Sequence, residues 1–147
     1  RVRHQQLPAW APEAEPWLAL TAWVAQQSRG LPLAPPAGDA LDVAAQQGER
    51  LYRERRGALN LSCAQCHDER AGLRLGGSLI PQGHVDDYPV FRLEWQALGS
   101  LQRRLRGCFS GVRAEVPAWD SDALMALQVY LARRSAGLTM QPPGVRP

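Results

Sequence analysis

Cysteines 63 and 66 are separated by two residues, and a histidine follows the second at once, in Cys63-Ala64-Gln65-Cys66-His67. On one turn of helix that spacing presents both thiols to the same side and brings the imidazole beneath them. It is the attachment signature of a covalent c-type haem. Each thiol adds across one haem vinyl group, and the Nε2 of His67 is free to bind iron. Two other uses fit parts of the pattern. Cys63, Cys66, Cys108 and His84 could make a tetrahedral zinc set, and a Cys-x-x-Cys pair could serve as a redox dithiol. Neither accounts for a histidine placed directly after the second cysteine.

The 147 residues suffice for one domain with a real core. No apolar run is long enough to span a bilayer. The formal net charge of +3 is small and no basic-aromatic stripe occurs, which argues against nucleic acid as a partner. All 17 residues of the Lys/Arg class are arginines, whose guanidinium groups hold small oxyanions in a forked geometry that lysine lacks. Haem attachment by this motif in bacteria takes place outside the cytoplasmic membrane, so the periplasm is the expected compartment. Arg1-Val2-Arg3 carries no secretory leader, and the chain reads as mature or trimmed. Haem attachment uses two of the three cysteines, leaving Cys108 as a lone thiol in an oxidising compartment.

Periodicity predicts a first helix over 13–29, with Trp17, Leu18, Leu20, Trp23 and Val24 on its apolar face and Gly30 as its stop. A proline-rich linker or strap, 31–38, follows. A second helix is predicted from an N-cap at Asp39 to about Arg55. Its central Gly48 costs about 1 kcal/mol against alanine, which a close helix crossing would justify. After the haem motif, glycines and prolines break up any long element, and 88–95 reads as a loop entering a short helix. A last helix is predicted from an N-cap at Ser121 to Arg134, with Leu124, Leu127, Tyr130 and Leu131 at helical spacing. This order resembles the small mono-haem cytochrome c fold, in which the first and last helices cross over the haem edge. The expected fold class is therefore mainly α: a cytochrome c-like haem domain with glycine-rich loops over 36–147. Residues 1–35 are expected to be a helix and linker left from an N-terminal domain.

An electron-carrying cytochrome would place methionine opposite the histidine. Met125 reads as core packing in the last helix, and Met140 lies beyond that helix in the tail. The expected ligand loop holds instead Cys108, with His84 as the runner-up. Arg103, Arg104, Arg106 and Arg113 surround Cys108 in sequence and would stabilise its thiolate, the ligating and nucleophilic form. The alternative is an inert cysteine beside a solvated basic run.

Several segments resemble the SoxA family of sulfur-oxidising bacteria. They are 57–67 around the haem motif, Gly83 with Tyr88-Pro89, Arg92-Leu93-Glu94-Trp95, Arg103-Arg104 leading to Cys108, and Val112-Arg113-Ala114-Glu115. Residues 20–30 and the closing Pro143-Gly144-Val145-Arg146 fit as well. The resemblance implies one covalent haem c on Cys63 and Cys66, with His67 and Cys108 as its iron ligands and Cys108 carried as a persulfide. It implies a thiosulfate-acting enzyme that joins thiosulfate oxidatively to a cysteine of a SoxYZ-like carrier. Electrons would leave through haem to a SoxX-like cytochrome subunit in a heterodimer. Arg104 matches the family's site arginine, and Arg103 and Arg106 are expected to steer or bind the dianion. Family members usually carry a whole N-terminal domain, so the chain is expected to be either a trimmed form or a compact relative. If compact, Trp17 and Trp23 would lose part of their packing and face a partner. Thiosulfate dehydrogenase and plain electron transfer are the competing functions.

Overall fold

The computed structural model describes residues 2–147; Arg1, the first residue of the expected N-terminal segment, lies outside them. Two helices form the centre. One is α3 (Asp39–Arg53), the other α6 (Asp122–Arg134). They cross where Gly48 lies against the Ala126 backbone and the Tyr130 side chain; a Cβ there would stand 2.7 Å from the Ala126 carbonyl carbon and 2.7 Å from Tyr130 Cβ. The glycine is therefore a contact surface, as its position in the sequence implied. Around the crossing Tyr52, Ala64, Leu105, Phe109, Leu124, Leu127 and Leu131 form the core.

Asp39 is the first helical residue of α3 rather than its cap, which is Gly38. With Asp42 it places two carboxylates in the first turn, while Arg50 and Arg53 occupy the last; both arrangements favour the helix dipole. Ser121 is the N-cap of α6, but its hydroxyl makes no capping bond. The N-terminal segment contains α1 (Val2–Gln5), which periodicity missed, and α2 (Glu15–Gln26), shorter than the expected span. On α2 only Leu18 is buried, and Trp17 and Trp23 are 47% and 62% exposed. The proline-rich strap pairs with the chain after α6 through Leu33 N–H to the Leu138 carbonyl (2.8 Å) and Met140 N–H to the Leu31 carbonyl (2.9 Å).

Among the described residues, two small sheets accompany the six helices. An exposed hairpin joins β1 (Arg74–Leu75) to β2 (Ser78–Leu79). The stretch expected to be a loop entering a helix is instead β3 (Val90–Arg92), which turns into β4 (Ala97–Gly99). Their register is Val90↔Gly99, Phe91↔Leu98 and Arg92↔Ala97. The tail supplies β5 (Gly144–Arg146), parallel to β3 on its other edge. The buried Asp87 anchors this sheet, receiving the guanidinium of Arg146 at 2.6–2.7 Å.

Met125 is not core: it is 46% exposed, and its thioether accepts weak bonds from the side-chain amides of Gln102 (3.8 Å) and Gln128 (3.4 Å). It sits one residue off the Leu124–Leu127–Leu131 stripe, about 100° around the helix.

Candidate functional site

The Cys-x-x-Cys-His motif forms its own short helix, α4 (Cys63–His67). Five residues are too few to persist by propensity alone, so the start must be held. Ser62 accepts a bond from Gln65 N–H (3.2 Å), and Gln65 Oε1 accepts one from Ser62 N–H (2.9 Å). This reciprocal box is legible as Ser-x-x-Gln, a signal the sequence reading passed over. The turn before it is pinned by Ala58 N–H to the Arg113 carbonyl (3.2 Å). A Cβ on Gly57, which has φ +70°, would strike Ala114 N at 2.7 Å. Close approach there brings α4 beside the end of α5 (Leu101–Gly111).

None of the three cysteines is paired in a disulfide. Burial, reinforced by the nearby Cys108, pushes the Cys63 thiol up to about 11. His67 is oriented by its Nδ1, 2.7 Å from the Pro81 carbonyl. A carbonyl can only accept, so Nδ1 carries the proton and Nε2 keeps its lone pair. Burial lowers the His67 pKa, and the charges of Arg104 and Arg134 add to that, against the opposing pull of the Pro81 bond. The imidazole is therefore neutral at neutral pH, the form that binds metal. Gly83, with φ +72°, passes close over the ring; a Cβ there would press on His67 Cβ at 3.3 Å. Two cysteines one helical turn apart and outside any disulfide, with a neutral imidazole whose Nε2 is unprotonated, form the donor set a covalent haem needs. The residues fit the group, with Cys63 and Cys66 to attach it and His67 to bind its iron. The four residues of the zinc alternative are not assembled: among the described residues no three His, Cys, Asp or Glu side chains are placed to hold a metal ion.

Cys108 was expected in a loop and lies instead within α5. Ser100 caps that helix through Arg103 N–H (3.1 Å), and Ser100 N–H donates to Glu13 (3.2 Å). The helical register sorts the arginines. Arg104 precedes Cys108 by four residues and shares its flank. Its charge acts on both His67 and Tyr88. Arg103 and Arg106 fall on the other flank and stack on Trp95 (4.3 Å) and Trp119 (4.5 Å); Arg106 also donates to the Pro117 carbonyl. Of the arginines clustered in sequence, α5 thus gathers Arg104 with the cysteine and turns Arg103 and Arg106 aside. Tyr88 joins this group from the loop before β3. Burial raises its pKa, and Arg104 and Cys108 are among the charges it feels. His84 is half-buried beside Gly83, and Met140 is half-buried in the segment paired with the strap.

The sequence matches the family described as SoxA/TsdA, cytochrome c domain, over residues 47–140. It is 36% identical over 147 residues to the L-cysteine S-thiosulfotransferase subunit SoxA of Pseudaminobacter salicylatoxidans, covering 99% of this chain and 51% of that protein. It is also 36% identical over 132 residues to the same subunit of Allochromatium vinosum, covering 86% of this chain and 47% of the relative. The chain spans about half the length of the curated relatives it matches. Among solved structures, a chain of the SoxXA crystal structure from P. pantotrophus superposes with a TM-score of 0.95 at 28% identity, covering 99% of this chain and 55% of that one.

Proposed function

The chain belongs to the SoxA/TsdA cytochrome c family, and on that premise we propose that it is the haem domain of an L-cysteine S-thiosulfotransferase. Cytochrome c membership implies covalent haem c; the proposal is one haem, on Cys63 and Cys66, with His67 and Cys108 as iron ligands. The observation that carries the reading is the gathering of Cys108, Arg104 and Tyr88 beside the Cys-x-x-Cys-His helix.

The reaction joins the outer sulfur of thiosulfate to a cysteine thiol of a SoxYZ-like carrier. One S–S bond forms, the thiol proton is lost, and two electrons leave. Haem, when bound, supplies the route by which those electrons pass to a SoxX-like partner subunit. Arg104 holds the sulfonate oxygens through its planar fork and so fixes which end of thiosulfate faces Cys108. Cys108, carried as a persulfide, offers the sulfur at which the exchange occurs. Burial keeps His67 neutral, and the Pro81 carbonyl orients it by accepting its Nδ1 proton. Arg103 and Arg106 contribute only a diffuse positive field, since both guanidiniums are stacked on tryptophans. The periplasm remains the proposed compartment. No helix among the described residues is long and apolar enough to cross a membrane. Residues 1–35 are proposed to be the edge of a further domain, with the exposed Trp17 and Trp23 facing it or a partner.

The test incubates carrier, thiosulfate and an electron acceptor with the purified native protein, then weighs the carrier. A thiosulfonate adduct on the carrier cysteine that vanishes with Cys108→Ala is the expected result. Adduct formation that survives Cys108→Ala overturns the proposal. Tetrathionate without carrier adduct identifies thiosulfate dehydrogenase instead.

A further inference from the structure

Arg134, in the last turn of α6, has no part in the reaction above, yet its guanidinium meets a residue from each of the two segments that set His67, the Asp68 carboxylate and the Gln82 carbonyl. Its NH2 group reaches Asp68 Oδ1 at 2.5 Å, and Asp68 is the residue that closes α4 directly after His67. The same guanidinium donates to the Gln82 carbonyl from Nε (3.1 Å) and NH2 (3.0 Å). Gln82 is joined to Pro81, whose carbonyl accepts the Nδ1 proton of His67 at 2.7 Å. The guanidinium also lies over the Tyr52 ring (5.3 Å), and the Tyr52 hydroxyl donates to the same Asp68 oxygen at 2.8 Å. Arg134 is mostly shielded from water, its side chain 22% exposed against 28% for Asp68.

We propose that Arg134 is a positioning residue for His67, clamping Asp68 on one side of the imidazole and the Pro81–Gln82 backbone on the other. The inference rests on the reading that His67 binds the haem iron. The mechanism is a lever of two peptide units. If Gln82 is released, the Pro81–Gln82 peptide can turn, its carbonyl leaves the imidazole plane, and the Nδ1–H bond weakens. A weaker bond makes His67 a less basic ligand. Lysine cannot replace the clamp, because an ammonium lacks the fork that spans a carboxylate and a carbonyl while lying flat on a ring.

Arg134→Lys keeps the charge and removes the fork, whereas Arg134→Gln removes both. Two readouts on the purified haem protein decide: the reduction potential and the exchange rate of the His67 Nδ1 proton in the reduced protein. The expected result for Arg134→Lys is a higher potential and exchange faster by about tenfold, as for a bond that opens more often. Asp68→Asn, which keeps the shape and weakens the anchor, shifts both in the same direction by less. The proposal is overturned if Arg134→Lys and Asp68→Asn both match the native protein, or if only Arg134→Gln changes the potential and lowers it, since that is a charge effect alone. Should Arg134→Lys fail to fold, Asp68→Asn decides by the proton exchange, because the loss of its charge raises the potential by itself. A native protein without haem would fail the underlying reading first, and would be recognised by its lack of colour.

Discussion

Replacing Gly48 by alanine sets two effects of known sign against each other. The methyl group favours the α3 helix by about 1 kcal/mol, because glycine is that much poorer in a helix interior. It must also fit where a Cβ would lie 2.7 Å from both the Ala126 carbonyl carbon and Tyr130 Cβ, and closer still to the Ala126 oxygen. Carbon atoms pack best at about 3.5–4.0 Å, so the helices must part by roughly 1 Å. The yielding atoms belong to the backbone and Cβ of α6, not to the free end of a flexible side chain. Parting the pair loosens Tyr52, Leu124 and Leu127, each under 2% exposed. Overpacking of this kind costs about 3 kcal/mol or more. The net loss is then about 2–3 kcal/mol, or roughly 5–10 °C in Tm for a chain of this size. Gly107→Ala is the control, since Gly107 is also helical but has nothing within 4 Å of its would-be Cβ. It receives the propensity gain alone and stabilises by up to about 1 kcal/mol. Thermal unfolding followed by circular dichroism measures both. A Gly48→Ala protein as stable as the native one, or two variants that shift together, would refute the crossing as the reason for this glycine.

Ser62→Ala removes one half of the box that starts α4 and lowers stability by about 1 kcal/mol in urea unfolding, with a lower yield of attached haem. Burial raises the Asp87 pKa although Arg146 opposes it, so the native state holds the proton more tightly than the unfolded chain. Stability from this group is therefore greatest below the unfolded value of about 3.9 and falls as pH rises through the folded value. Asp87→Asn flattens that dependence in pH-resolved unfolding. Arg146→Ala steepens it, costing about 1–2 kcal/mol at neutral pH by leaving a buried carboxylate unpaired. Arg104→Lys keeps charge without the fork; it is expected to raise KM for thiosulfate about tenfold in steady-state turnover, where an unchanged KM would remove Arg104 from the substrate.

What could be read from the sequence was what local spacing encodes. Local spacing carried the Cys63–His67 motif and marked Gly48 as a costly residue inside a helix, whereas Arg104 was set apart from the neighbouring arginines only by the family resemblance. The three-stranded sheet could not be read this way, because β3 is completed by β5 from the far end of the chain. Two arginines were grouped with Cys108 because the segment was taken as a loop; on a helix Arg103 and Arg106 diverge from Cys108 and meet Trp95 and Trp119. Met125 passed as core because it adjoins the apolar stripe of α6, yet a shift of one residue is enough to expose it. Arg134 left no local trace, since its partners Asp68 and Gln82 lie 66 and 52 residues away.

Electron paramagnetic resonance of the ferric protein, native and Cys108→Ala, tests most directly whether Cys108 is the sulfur at the centre of this site. The native protein is expected to give the low-spin signal of an iron held by histidine and a sulfur anion, and the variant to lose it together with thiosulfate conjugation. A signal unchanged by the substitution would contradict the assignment of Cys108.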